Sequence, residues 1–248
     1  MDLGIAGRRA AVAASSAGLG YACAAALAAE GVRVAVCGRD RQRIEDAAAS
    51  ISSDCVPIVC DVSDAAGGAA FVARATEALG AVDILVTNAG GPPPGTFDST
   101  EVDAYLPALD LNLMSVVGMC KAAVPAMRSR GWGRVVAITS LAVRQPMATL
   151  ILSNTARAGA TGFLKTLARE VAADGVTVNS VQPGLHETER LVQLYGGRVD
   201  GRELGVPAGV VGRPEDFGAT VAYLCSDQAR FITGLQLHVD GGAYAGLL

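Results

Sequence analysis

The stretch RAAVAASSAGLGYACAAALAAEG, residues 9–31, decides the fold of this chain. Its apolar run 9–14 predicts a buried strand, and the alanine-rich segment 19–30 predicts a helix. Gly18 and Gly20 lie at the junction. A strand that turns through glycines into a helix is typical of nucleotide-binding units, because the backbone can approach a pyrophosphate and the helix start offers N–H donors. Two glycines alone are equally compatible with an ordinary turn, so the interpretation depends on the rest of the chain.

Short apolar runs continue to alternate with longer helical segments toward the C-terminus. Most of the runs are apolar throughout, as expected of strands that are covered on both faces. The alternation predicts an α/β fold: a Rossmann-type doubly wound parallel sheet of about seven strands with helices on both faces, in a single domain over 1–248. The predicted strands are 9–14, 32–37, 55–60, 83–88, 134–139, 176–181 and 235–239, and the predicted helices are 19–30, 41–52, 67–79, 101–130, 148–173 and 214–226.

The segment 186–212 interrupts this rhythm, since it is glycine-rich and only weakly periodic. It follows the end of a predicted strand, where ligands of open parallel sheets bind. We therefore expect a lid or substrate loop, with His186 and Val192 facing the substrate. The alternative is a plain surface excursion.

Composition and charge exclude several classes of protein. The formal net charge is −4 and no basic stripe is present, which argues against a nucleic-acid partner. The purely apolar runs are too short to cross a membrane, and the first twenty residues do not resemble a signal peptide. The six cysteines form no CxxC pair, so we expect buried thiols in a reducing cytoplasm, with neither disulfides nor a metal site.

Several short motifs, in order and at the right spacing, resemble those of the short-chain dehydrogenase/reductase family over nearly the whole chain. The family's TGxxxGxG motif corresponds to residues 13–20, with Ala14 in place of the first glycine, and its NNAG motif corresponds to TNAG, 87–90. Its active-site Asn and Ser correspond to Asn112 and Ser140. Through its CDV, NxxxPGxxxT and glycine motifs, the resemblance implies a nicotinamide dinucleotide bound by Ser15, Ser16, Gly18, Leu19, Gly20, Asp61, Val62, Asn88, Ala89, Gly90, Pro183, Gly184 and Thr188.

The end of the second predicted strand bears on which dinucleotide is bound. Enzymes of this architecture that use NAD usually place an acid there to bind the ribose 2′-OH. Here Gly38 stands at that position and Arg39 follows. A guanidinium suits a 2′-phosphate through paired charged hydrogen bonds, so we expect NADP(H) in preference to NAD(H). The alternative is that Arg39 is merely solvated while Asp40 caps the next helix.

The resemblance fails at the main catalytic pair. In the family a tyrosine lies thirteen residues after the serine and a lysine four residues further on, which leads from Ser140 to Ser153 and Arg157. The chain has no tyrosine between Tyr105 and Tyr195, so a register slip does not restore one. A serine hydroxyl is a much weaker acid than a phenol, whereas Arg157 can still bind the ribose and stabilise negative charge. Ser153 as a core-facing helix hydroxyl is the alternative.

Three functions are compatible with this pattern. The first is a ketoreductase whose proton comes from water or from a substrate hydroxyl, which Asn112, Ser140 and Thr188 favour. The second is a pseudoenzyme or binding module, and the third is a non-redox isomerase or cyclase. Arg144, four residues beyond Ser140, either reaches the substrate or is a solvated loop charge, whereas His238 in a strand signature is more typical of burial.

The LSNTARAG variant, residues 152–159, resembles a divergent branch of the family. That branch includes 3-oxoacyl-carrier-protein reductases and ketoreductases of aromatic, angucyclinone-type polyketides. It implies a cyclic or aromatic polyketide ketone as substrate, in antibiotic biosynthesis. The family resemblance also implies a homo-oligomer, a tetramer or dimer, paired through the helices matching 101–130 and 148–173.

Overall fold

The computed structural model describes residues 2–197 and 199–247, without the side chains of residues 190, 193 and 194. Seven parallel strands form one sheet in the order β3-β2-β1-β4-β5-β6-β7, which confirms the predicted fold class. The strands are β1 (Arg9–Val12), β2 (Arg33–Gly38), β3 (Val56–Val59), β4 (Ile84–Thr87), β5 (Gly133–Ile138), β6 (Val176–Pro183) and β7 (Gln236–Val239). The α-helices are α1 (Gly18–Ala29), α2 (Arg41–Ile51), α3 (Ala65–Leu79), α4 (Tyr105–Leu109), α5 (Ser115–Ser129), α6 (Ile151–Val171), α7 (Glu189–Tyr195) and α8 (Pro214–Cys225).

Both faces of the sheet are covered, which explains why its strands are apolar throughout. One core contains residues such as Phe71 of α3, Met119 of α5 and Leu164 of α6 against one face. The opposite core contains Leu27 of α1 and Phe217 of α8. Burial of these apolar side chains on both faces is what holds the sheet between two helical layers.

The sheet creates a crevice at the carboxyl end of β1. From β1 the chain runs outward to β2 and β3, then returns to pair β4 with the other side of β1. In open parallel sheets this reversal of strand order is where ligands bind, because the two sets of connections diverge there. The glycine-rich turn between β1 and α1 lies at this point.

The helix predicted over 101–130 is present but is interrupted. It comprises a 3₁₀ turn (Val102–Ala104), α4, a π-helical turn (Asp110–Met114) and α5. This segment, Val102–Ser129, is the one described helix that is long and apolar enough to cross a membrane, and half of its most apolar window is buried. It packs against α3 and α6, so its burial is that of a core helix of this domain.

The segment 186–212 contains α7, a helix that the sequence pattern did not predict. Thr188 caps it by accepting a hydrogen bond from Leu191 N at 3.3 Å. Arg198, which falls in the predicted lid, lies outside the described residues. The predicted first strand also ends earlier, at Val12, because Ala14 leaves the extended conformation with φ of +46°.

Candidate active site

The turn after β1 is shaped for a close backbone approach. Gly18 adopts φ of +62°, which a side chain would strain. A Cβ atom at Gly20 would lie 2.5 Å from Ala14 O and 2.9 Å from Asn88 Nδ2, so only glycine fits. Asn88 Nδ2 donates to Ala14 O at 3.1 Å and thereby ties the end of β4 to this turn.

The contacts of Ser15 correct the expectation that its side chain binds the dinucleotide. Its Oγ donates to Val12 O at 2.7 Å and accepts from Cys37 N at 3.2 Å, and its backbone N donates to Cys37 O at 2.9 Å. All its donors are therefore used inside the protein, and Ser15 shapes the turn instead of facing a ligand. Ser16 and Leu19 remain partly exposed at the same turn.

The end of β2 presents an unpartnered cation. Arg39 is exposed, and its guanidinium forms no hydrogen bond or ion pair with the described residues. A Cβ atom at Gly38 would lie 3.3 Å from Ser16 Cβ, so the glycine keeps the space beside the β1 turn open. Asp40 accepts from Arg43 N at 2.9 Å and caps α2, so the capping expected for Asp40 coexists with a free Arg39.

Asp61 and Val62 follow β3 on the same edge of the sheet. The carboxylate of Asp61 is exposed and accepts from Ser63 N at 3.0 Å, while Val62 is buried. The turn formed by Asp61 leaves its second carboxylate oxygen available to a ligand amine. Both residues therefore lie at the sheet edge that carries the glycine turn, where their predicted contact with the cofactor stays a prediction.

The loop after β6 meets the glycine turn of β1 across the crevice. A Cβ atom at Gly184 would lie 2.7 Å from Asp240 Cα, which requires glycine after Pro183. The side chain of Thr188 lies 3.6 Å from where a Cβ atom of Gly18 would be. Near Gly90, preceded by the partly exposed Ala89, a Cβ atom would meet nothing within 4 Å. The close packing at Gly184 and the open space at Gly90 fit an extended dinucleotide.

Ser140 and Asn112 lie on two segments that both contact α6. Ser140 follows β5, and its Oγ accepts from Ala142 N at 3.1 Å at the start of a 3₁₀ turn (Leu141–Val143). The hydroxyl proton of Ser140 can therefore be donated elsewhere. Asn112 donates from Nδ2 to Gly90 O at 2.9 Å, while its buried Oδ1 has no hydrogen-bond partner within the described chain.

Ser153 and Arg157 form a pair on the first turns of α6. Arg157 donates from Nε to Ser153 Oγ at 3.2 Å, as the spacing of four residues predicts. Ser153 is only 8% exposed. Because its oxygen accepts from a cation, its own proton is directed away from Arg157.

His186 does not occupy the position expected of a substrate-facing residue. It is only 5% exposed, its ring contacts Phe217 edge-on at 5.2 Å between centroids, and Nδ1 lies 3.3 Å from Gly184 O. Burial lowers the pKa of His186, so the neutral ring is favoured. We correct the expectation: His186 packs the base of the lid segment onto α8.

The other two substrate candidates are exposed. Val192 lines an open depression of about 650 Å³ formed by the lid segment, together with Thr188, Leu191 and Val199. The guanidinium carbon of Arg144 lies 5.3 Å from the ring centroid of Tyr244. No sequence motif predicted a role for Tyr244, although an aromatic residue close behind the Gly241-Gly242 pair was an available signal.

Most of the cysteine side chains are buried. Burial raises the pKa of Cys37, Cys120 and Cys225 to about 12, so these thiols stay protonated. The cysteines are free thiols. Across residues 2–197 and 199–247, no three side chains of the His, Cys, Asp or Glu types converge as a metal site would require.

Comparison with known proteins agrees with this arrangement. A family model described as enoyl-(acyl carrier protein) reductase matches residues 13–244. The chain is 34% identical over 238 residues to the 3-oxoacyl-[acyl-carrier-protein] reductase of Salmonella typhimurium, covering 96% of this chain and 98% of that protein. This chain belongs to the short-chain dehydrogenase/reductase family. It is accordingly an oxidoreductase of the short-chain reductase type.

Two solved structures of this family illustrate the range of its sites. The L-sorbose reductase of Gluconobacter frateurii, solved with NADPH and L-sorbose, has 30% identity and a TM-score of 0.92, and both chains are covered completely. An NADPH-bound short chain oxidoreductase of Pseudomonas aeruginosa PAO1, described as containing an atypical catalytic center, has 30% identity and a TM-score of 0.89. That match covers 96% of this chain and 97% of the Pseudomonas protein. Family members are thus known both with substrate-bound sites and with altered centres.

Proposed function

We propose that this protein is an NADPH-dependent ketoreductase that works without a tyrosine acid. Two contacts together carry the proposal. Ser140 keeps a hydroxyl proton that it can donate, because its Oγ only accepts from Ala142 N. Ser153 and Arg157, which replace the family's tyrosine and lysine, form a hydrogen bond with each other. The dinucleotide groove beside them keeps its glycine cradle.

The cofactor, when bound, supplies a hydride to the carbonyl carbon. The chain would hold it with the turn residues Gly18 and Gly20, with the Gly90 edge, and with the Pro183-Gly184 loop that leads to Thr188. Arg39 is available for a 2′-phosphate because none of the described residues engages it. NADPH-bound structures among its relatives support the use of NADP(H).

Ser140 would donate a hydrogen bond to the carbonyl oxygen and stabilise the developing oxyanion. Arg157 would bind the nicotinamide ribose, as the lysine of the family does, and would add positive charge nearby. An arginine stays protonated, so it orients and stabilises but does not deliver the proton. The proton would come from an ordered water or from a hydroxyl on the substrate itself.

This proton route favours ketones beside a phenol or enol, such as a cyclic or aromatic polyketide intermediate in antibiotic biosynthesis. Such an oxyanion is delocalised or internally hydrogen-bonded, so it needs no strong acid from the protein. Serine is also smaller than tyrosine, which leaves room for a fused ring at this position. We further propose a cytoplasmic enzyme that acts as a homodimer or homotetramer.

Deuteride transfer tests the proposal. The protein is incubated with NADPH deuterated on either face of the nicotinamide and with a panel of phenol-adjacent cyclic ketones, and the alcohols are analysed by mass spectrometry. We expect deuterium at the carbinol carbon. If cofactor binds and no ketone on the panel acquires deuterium, the pseudoenzyme or the non-redox isomerase or cyclase replaces this proposal.

A 3-oxoacyl-carrier-protein reductase is the second candidate function. The similarity to the Salmonella reductase along almost the full length of both proteins favours it. A 3-oxoacyl thioester on a carrier protein, offered in competition with the cyclic ketones, separates the two. A kcat/KM higher for the thioester than for every ring ketone would select this second function.

A further inference from the structure

The C-terminal tail of the chain, residues 240–245, docks onto the segment that follows Ser140. The guanidinium carbon of Arg144 lies 5.3 Å from the centroid of the Tyr244 ring, within the range of a cation–π contact. Next to it, Ala245 N donates to Gln145 Oε1 at 3.0 Å. Two consecutive residues of the Ser140 segment are therefore held by two consecutive residues of the tail.

Tyr244 is itself fixed from its other side. Its ring stacks on His238 of β7 at 4.3 Å between centroids and an interplanar angle of 21°. Asp240 accepts from Gly242 N at 2.9 Å and from Tyr244 N at 2.8 Å, which folds the tail into a tight turn. The tail thus connects the edge strand of the sheet rigidly to Arg144.

The segment that the tail holds is the one that sets the position of Ser140. Ser140 Oγ accepts from Ala142 N at one end of the 3₁₀ turn, and Arg144 ends that turn by donating from its backbone N to Leu141 O at 3.1 Å. Ser140 and Arg144 are therefore opposite ends of one short turn. Motion of Arg144 would be transmitted to the Ser140 hydroxyl.

We propose that Tyr244 is a positioning residue that keeps Ser140 aligned by holding Arg144. The aromatic face makes both the contact with Arg144 and the stack on His238, and Tyr244→Phe retains both. This inference rests on the proposed function only in that Ser140 contacts the reacting carbonyl. A misplacement of about 1 Å in such a group can cost about a hundredfold in rate.

Four variants test this role: Tyr244→Ala, Tyr244→Phe, Arg144→Met and, as a matched surface control, Tyr223→Ala on α8. The first readout is amide hydrogen exchange of the turn amides of Ala142 and residue 144, measured without substrate. We expect Tyr244→Ala and Arg144→Met to speed exchange at least about tenfold, and Tyr244→Phe and Tyr223→Ala to leave it unchanged. Combined, Tyr244→Ala and Arg144→Met should add little to either single change, because both break the same contact.

The second readout is turnover of a ketone that the wild-type protein reduces. We expect Tyr244→Ala to lower kcat about ten- to a hundredfold while the Kd for NADPH stays within about twofold, and Tyr244→Phe to restore kcat. Unchanged exchange in folded Tyr244→Ala overturns the proposal. Equal loss of kcat in Tyr244→Phe and Tyr244→Ala also overturns it, since that pattern assigns the role to the hydroxyl. If no ketone is reduced, only the proposed function fails, and the exchange experiment still decides the positioning role.

Discussion

Arg157 donates from Nε to the hydroxyl oxygen of Ser153 at 3.2 Å, one helical turn away on α6. The contact resembles the tyrosine–lysine arrangement of the family only in position. A cation bonded to an alcohol oxygen does not turn that alcohol into an acid that is useful near neutral pH, because arginine stays protonated and serine is a very weak acid. In the proposed mechanism the pair therefore orients neighbouring groups, and Ser140 would donate the hydrogen bond to the oxyanion.

Ser140→Ala should lower kcat by about 100- to 1,000-fold, the usual cost of one oxyanion donor. Ser153→Ala should cost less than about tenfold, because Ser153 is not the acid. Steady-state turnover of Ser140→Ala and Ser153→Ala measures the two effects, and NADPH affinity is the control for folding. Loss of all turnover in folded Ser153→Ala would mean that the proton passes through Ser153. The double change Ser153→Tyr with Arg157→Lys should not be required for activity.

Arg39→Ala should weaken NADPH binding while leaving NADH binding nearly unchanged. The substitution removes the exposed guanidinium and with it a charge-assisted contact to the 2′-phosphate of NADPH. Loss of such a contact costs about 1.5–3 kcal/mol, or roughly ten- to a hundredfold in Kd. Fluorescence titration of both cofactors against both proteins measures the difference. Equal affinity of the wild-type protein for NADPH and NADH would refute the assignment.

Val192→Trp should narrow the depression formed by the lid segment. We expect the ratio of kcat/KM between a fused-ring ketone and a small ketone to fall at least about tenfold, while the Kd for NADPH is unchanged. Phe231→Trp, an exposed apolar position between α8 and β7, serves as the control. If Val192→Trp folds and the ratio stays at the wild-type value, segment 186–212 does not shape the substrate site.

The left-handed conformation of Ala14 predicts an unusual response to glycine. An alanine at φ of +46° is strained by about 1–2 kcal/mol, whereas glycine tolerates this conformation. Ala14→Gly should leave the free energy of unfolding unchanged or raise it by up to about 1 kcal/mol, after the entropy that glycine adds to the unfolded chain. Ala13→Gly, at the buried neighbouring position, should lower it. Denaturant titration measures the free energy of unfolding of both variants. An equal decrease in both would contradict the strain at Ala14.

Burial of His186 predicts a loss of stability in mild acid. Its pKa is lowered in the folded protein, so the unfolded chain binds a proton first as the pH falls below about 6.5. The stability that the neutral His186 ring contributes is therefore complete above that pH and is lost as the pH falls toward the lowered pKa of the folded protein. His186→Gln should flatten the dependence of the free energy of unfolding between pH 7.5 and 5.5, measured by denaturant titration. His238, whose pKa burial also lowers, is present in both proteins and so cancels in the comparison. An unaltered slope in His186→Gln would rule out the effect.

The sequence by itself determined the parallel sheet, the glycine turn after β1 and the identity of the altered pair. Apolar runs of strand length predict β1 to β7 because a strand covered on both faces needs apolar residues throughout. The resemblance to the family's motifs singled out Asn112, Ser140, Ser153 and Arg157, and the four-residue spacing of the last two predicted their contact on one face of α6.

Only the tertiary structure decided which of the flagged side chains face the crevice. The Ser15 hydroxyl accepts from Cys37 N of β2, and the His186 ring packs against Phe217 of α8. Each of these contacts joins residues that are far apart in the sequence. The docking of Tyr244 on Arg144 spans one hundred positions, and no local pattern encodes it. The periodicity of apolar residues predicts which face of one helix or strand is buried. The roles of Ser15, His186 and Tyr244 depend instead on which distant residues the folded sheet brings into contact with them.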